Sequence, residues 1–323
     1  MYKRQARGFE AGGHFRGVWP RDLCFAARGL ATAGYADAVA ETGERVLERL
    51  CSDEVFYTDF HADYAAATPA EGVDTFPALV LLLAACGRLQ DRAGAVAALA
   101  DRHREAFVDP ATALVTGRGS SWWDSAAEPR EGYNTVMLLA ATERLEDRGI
   151  ETTFTGESAT IRAALRSRLW NGDYVDERRG SSVLACDANV AALYFGVVDD
   201  ERAGSIADSL ADLETTVGLR MRARPFAPSN VHPFFLLHRD YHYHVWPWNS
   251  LAYAVGLAVY GFEERATREV RRIERLLAPY GNFLEVCTLG GEPYVKRGYA
   301  SAEDFTVAAA LWSEFRQRFG LPS

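Results

Sequence analysis

The chain has 323 residues, 48% hydrophobic and 24% charged, with a net charge of −9 at pH 7 and a pI near 5.4. That apolar content supplies a sizeable core and excludes general disorder. The acidic balance leaves no basic footprint for nucleic acid; Lys3 and Lys296 are the only lysines.

The five cysteines, Cys24, Cys51, Cys86, Cys186 and Cys287, are odd in number, widely spaced and without a C-x-x-C pair. Most lie in apolar runs, which predicts reduced thiols. The first residues carry no apolar signal region. The longest apolar stretch, residues 76–86, is too short to span a bilayer. The expectation is a cytoplasmic protein with no membrane partner.

Six times a polar segment, in most cases acid-bearing, opens into an apolar helical stretch, near Asp22, Asp74, Asp124, Asp187, Asn249 and Asp304. Neighbouring openings lie roughly 50 to 60 residues apart, room for two helices and their loops. A helix packed on both sides reads apolar all round, and one packed on a single side carries a stripe. In chain order, residues 23–30 predict an inner helix and 36–50 an outer one. The pair repeats at 76–86 and 93–107, at 135–141 and 158–170, at 188–198 and 201–213, and at 251–260 and 266–280. Within 266–280 the apolar stripe is Val270, Ile273, Leu276 and Leu277. Residues 305–312 predict the sixth inner helix. Its outer counterpart would precede Trp19, where only about eighteen residues are available. Residues 175–183 predict a short hairpin around the turn 176–180.

No Pro/Gly/Ser-rich linker divides the chain. The pattern predicts one all-α domain over 1–323, an (α/α)6 toroid with short loop hairpins and its first outer helix in question. A solenoid of stacked hairpins would show more uniform repeats. A toroid gathers the acid-bearing helix starts at one end, and carboxylate pairs in such a pocket perform glycoside chemistry.

Four constellations carry candidate chemistry. In Trp19-Pro20-Arg21-Asp22, Arg21 offers a planar fork of donors, Asp22 accepts from vicinal hydroxyls and Trp19 offers a flat face; the plainer reading is Asp22 as a helix cap. In Trp122-Trp123-Asp124, aromatic walls raise a carboxyl pKa and suit it to general-acid work, with Glu128 or Glu131 as other candidates for the acid and a helix cap as the plainer role. Glu285 sits between apolar neighbours late in the chain, an unusual setting for a solvated charge. A carboxylate there can activate water; an ion pair with Lys296 or Arg297 is the alternative. Ser301-Ala302-Glu303-Asp304 reads as capping of the last inner helix.

The fourth constellation runs from Tyr241 to Asn249 through His242, His244, Trp246 and Trp248, with His232 and His238 upstream. Its histidines raise the question of a metal, but only Asp240 offers to complete a ligand set. A stacking wall for sugar rings is the preferred reading. No phosphate-binding Gly loop, G-x-S-x-G or H-E-x-x-H is present.

These motifs resemble the toroidal catalytic domain of glucoamylases and of amylo-α-1,6-glucosidases of the glycogen-debranching type. Trp19-Pro20-Arg21-Asp22 is similar to the Trp-x-Arg-Asp that binds the terminal glucose. Trp123-Asp124 is similar to the segment bearing the proton donor, and Pro129-Arg130-x-Gly132 extends the match. Tyr241-His242-x-x-Val245-Trp246-Pro247-Trp248 resembles the family's aromatic segment. Glu285 falls where the late catalytic base lies. Departures occur near Thr135-Val136, where a debranching Glu is replaced, and at His244.

The resemblance implies an inverting glycoside hydrolase acting on an α-glucoside or related oligosaccharide. Asp124 is expected to protonate the leaving oxygen and Glu285 to deprotonate water, with the carboxyl groups about 6.5–9.5 Å apart. Trp19, Arg21, Asp22, Trp123, Arg130, His242, Trp246 and Trp248 are expected to hold the sugar. No cofactor or metal is expected, and a homo-oligomer is left open. An epimerase working through His242 and His244, a uronide enzyme using Arg130 and a non-catalytic sugar binder are the competing readings.

Overall fold

The structure, a computed structural model, describes residues 4–5, 8–53, 55–61, 63–67, 71–117 and 126–320. Helices α1 (Pro20–Leu30), α2 (Ala36–Ser52), α3 (Thr75–Ala85), α4 (Ala93–Phe107), α5 (Glu131–Asp147) and α6 (Ser158–Arg168) form the first half of the chain. Helices α7 (Cys186–Phe195), α8 (Asp200–Leu210), α9 (Pro247–Val259), α10 (Glu263–Leu277) and α11 (Thr306–Phe319) form the second. The odd-numbered helices pack side by side in order, and α11 returns against α1 to close the ring. The architecture is an (α/α)6 toroid with an inner ring of six helices and, among the described residues, five outer ones.

Sequence pattern explains the two layers. Every residue of α3 from Thr75 to Leu83 is buried, because this helix meets neighbours all round. In α10, Val270, Ile273, Leu276 and Leu277 are buried while Arg268 and Arg275 face solvent. Ring closure depends on Gly29: a Cβ there would lie 2.0 Å from the Ala310 carbonyl oxygen, so any side chain would push α1 off α11.

Ahead of α1, where a sixth outer helix would stand, the chain forms a two-stranded ribbon, β1 (Arg4–Gln5) with β2 (Gly8–Phe9), and β2 packs on α2. Two further ribbons pair β3 (Gly17–Val18) with β4 (Phe60–His61), and β5 (Val295–Lys296) with β6 (Tyr299–Ala300). Among the described residues no helix is long and apolar enough to cross a membrane.

Two local expectations are corrected. Residues 175–183 form a turn, with the Ser181 amide donating to the Arg178 carbonyl at 3.1 Å, but no strand pair. The reason is that Asn189 of α7 takes both backbone groups of Val175, and Glu177 is drawn inward by arginines. Residues 301–304 do not cap α11 through a side chain: Phe305 occupies the cap position, and Asp304 instead bends back at φ +53°.

Candidate active site

Two inner helices start in the same way. In α1 and α9 a proline fills the first helical position, where its missing N–H costs nothing, and a tryptophan precedes it in extended backbone. These tryptophans, Trp19 and Trp246, both line a cavity of about 520 Å³ at this end of the ring. Phe15, Phe235, Tyr241, Trp248, Tyr299 and Phe305 add aromatic wall, and Arg21, Asp22, Glu285, His14 and His238 supply its polar groups.

Arg21 and Asp22 lie in the first turn of α1, beyond the cap position, so the capping role considered for Asp22 does not apply. The Arg21 guanidinium donates to the Asp22 carboxylate at 2.9 Å, and both are almost fully buried. Burial raises the Asp22 pKa, Arg21 opposes it, and the Asp74 carboxylate adds to the rise.

Glu285 is placed by backbone pairing on both sides. Its own amide donates to Ala302 at 2.9 Å, while neighbouring Cys287 exchanges two hydrogen bonds with Val245. That register sets Glu285 beside the turn bearing Tyr241 and the ribbon bearing Tyr299. Both tyrosine hydroxyls donate to its carboxylate, and the Ala302 amide adds a third bond at 3.2 Å. The side chain is 3% exposed. Burial pushes its pKa up to about 7 despite these three donors, and the Asp22 carboxylate contributes to the rise. Lys296 does not pair with Glu285; it donates to Asp240, which also accepts from Tyr294 at 3.0 Å. Asp240 thereby ties the β5–β6 ribbon to the turn that carries Tyr241.

Arg130 is a correction. Its side chain has no exposed surface and donates to Glu177 at 2.8 Å and to Asp187 at 2.6 Å. Arg222 binds the same Glu177 at 2.7 Å. Burial alone would raise the Glu177 pKa, but the two guanidiniums outweigh it and hold it near 2. Through Glu177 and Asp187, Arg130 fastens α5 to the 175–183 turn and to α7, and it is not among the residues that line the cavity.

His242 is buried between Tyr241 and Trp246, with ring centroids 4.8 and 5.1 Å away, behind the cavity wall. Burial first, then Arg130, Arg21 and Arg222, hold its pKa well below the usual histidine value. The ring packs against these two wall residues and is not among the side chains that line the cavity. His244 faces Asp240 at 3.4 Å and stays outside the cavity lining. Among the described residues no three His, Cys, Asp or Glu side chains group as metal ligands. Trp123 and Asp124 lie outside the described residues.

His14, Phe15 and Phe305 were not singled out from the sequence, and Tyr299 was not paired with Glu285. His14 and Phe15 follow a Gly12-Gly13 turn whose backbone lies against Ala302–Phe305, a contact between chain ends that no local pattern announces.

No family model and no curated protein matches the sequence. Solved structures do match it in fold. A glycosidase variant in complex with glucose superposes with a TM-score of 0.78 at 16% identity, over 99% of this chain and 94% of that one. Neutral trehalase from Saccharomyces cerevisiae gives 0.66 at 14%, over 98% and 74%. A bacterial glucoamylase complexed with acarbose gives 0.70 at 11%, over 93% and 48%. The resemblance carried by the motifs therefore extends to the (α/α)6 toroid shared by these glycoside hydrolases.

Proposed function

We propose that residues 1–323 act as one catalytic unit, an inverting glycoside hydrolase for an α-glucoside or related oligosaccharide. The observation that carries the reading is Glu285: a buried carboxyl with its pKa near 7, held by two tyrosines, at a cavity walled by aromatics. A base poised near the working pH combines the ionised form with useful proton affinity. In this mechanism Glu285 takes a proton from water, which attacks the anomeric carbon. Asp124 protonates the departing oxygen from the opposite face. Arg21 and Asp22 hold hydroxyls of the non-reducing sugar, and Trp19 and Trp246 stack on its faces. Fold likeness to a glucose-bound glycosidase and an acarbose-bound glucoamylase favours a glucose-type ring.

The test is sugar release from a panel of α-glucosides, β-glucosides, mannosides and uronides, with the product's first-formed anomer read by NMR. The expected result is inverted product from one class, lost in both Glu285→Gln and Asp124→Asn. Retained configuration removes the inverting mechanism. Absence of release from every substrate, with binding intact, replaces the hydrolase by a carbohydrate binder or epimerase.

A further inference from the structure

A second cavity of about 480 Å³ is rimmed by Arg178, Arg222, Arg224 and Arg239, with Glu128 and Glu177 as its carboxylates. It adjoins the first through one segment of chain: Phe235 and His238 line the aromatic cavity, and Arg239 lines this one.

The charges around it do not cancel. Glu177 and Asp187 are taken up by Arg130 and Arg222. Glu128 is taken up by Arg178 at 2.9 Å, with Asn230 adding a bond at 3.1 Å. Three cations thus match three carboxylates. Arg224 and Arg239 are left over, both exposed and, among the described residues, without a carboxylate partner. Two uncompensated guanidiniums over one cavity stand out in a chain of net charge −9. The floor beneath them is well tied: Arg222 is buried, lies over the Phe226 ring at 4.2 Å and donates to the Arg224 carbonyl at 2.8 Å.

We infer that this cavity binds an anionic group, a carboxylate or a phosphate, on the leaving-group part of the substrate. Guanidinium forks match the planar or tetrahedral oxygens of such groups. The leaving-group assignment rests on the hydrolase reading. The described chain resumes at Ala126, two residues after the proposed acid, and there bridges Val231, while the Ala127 amide donates to Asn230 at 3.0 Å. Glu128 and Asn230 then form part of the second cavity's wall. The general acid works on the leaving oxygen, so the leaving group lies on its side, and Glu285 lines only the first cavity.

The experiment uses the full chain and aryl glycosides of the sugar identified by the panel. One aglycone carries a para-carboxylate, one a para-phosphate and one a neutral para-carboxamide. The anionic substrates are expected to exceed the carboxamide in kcat/KM by on the order of tenfold, a margin that shrinks with added salt. In the double variant Arg224→Gln/Arg239→Gln the ratio should approach one. The carboxylate and phosphate arms show which anion is preferred. Binding of inorganic phosphate, read by thermal shift with and without the double substitution, is measured in parallel. Hydrolysis with no anion preference overturns the inferred site and leaves the hydrolase reading standing. No hydrolysis of any glycoside, with phosphate binding that needs the two arginines, supports the anion site and overturns the hydrolase reading. A preference that survives the double variant assigns the anion elsewhere and overturns the site.

Discussion

Glu285 and Glu177 are both buried carboxyls, 3% and 1% exposed, yet they are driven in opposite directions. Glu285 meets tyrosine hydroxyls, one backbone amide and a neighbouring carboxylate, and its pKa rises to about 7. Glu177 meets two guanidiniums and falls to about 2. Burial is common to both; the charge of the neighbours decides the sign. The first is left available for proton transfer at a cavity, and the second is locked as the centre of an ion network.

The sharpest way to break this comparison is to neutralise each residue. Glu285→Gln should lower turnover by about 10²–10⁴-fold with the melting temperature close to wild type. Turnover near wild type would remove Glu285 from the chemistry. Glu177→Gln should act on stability, because it leaves Arg130 and Arg222 short of a counter-charge in the interior; a loss of about 3–5 kcal/mol in denaturant unfolding is expected. A neutral effect there would show that the network is dispensable.

The pH dependence separates them further. Glu285 works ionised, so the acid limb of kcat/KM should rise through about pH 7, before the fall at higher pH where the general acid loses its proton; a profile with no rising limb there would remove Glu285 as the base. Its raised folded pKa contributes stability below about pH 4.5, lost as pH rises towards 7. The depressed pKa of Glu177 contributes stability above about pH 4.5, lost as pH falls towards 2. Difference curves between wild type and each Gln variant should therefore slope in opposite senses.

A smaller effect is expected from the tyrosine donors. Tyr299→Phe removes a hydrogen bond to the ionised carboxylate, so the acid limb of kcat/KM should move to higher pH. Lys296→Met loosens the tie from the β5–β6 ribbon to Asp240 and should move the limb the same way by less, with Lys296→Arg restoring it. An unmoved limb in both variants would mean that the ribbon does not position Glu285.

Much of this molecule was legible in its sequence. The alternation of all-round apolar and striped segments located the inner helices and the five outer ones, because packing on two sides or one is written directly into hydrophobic periodicity. Trp19, Arg21, Asp22, Trp246, Trp248 and Glu285 were legible as well, since acids and aromatics beside helix starts are costly without a use, and the structure brings them to one cavity. Arg130 shows the limit of such a reading: an arginine near a helix start looks alike whether it faces a cavity or a buried carboxylate, and the structure sets this one against Glu177 and Asp187.

The sequence by itself determined the ring, its order of layers and the end at which polar residues collect. These follow from local patterns that each helix carries alone. Only the tertiary structure decided which carboxyl is poised and which is locked, because that depends on partners far away in the chain: Tyr241 and Tyr299 for Glu285, Arg130 and Arg222 for Glu177. Electrostatic character is a property of neighbours in space, and ring closure, by packing α11 on α1, is what makes those neighbours.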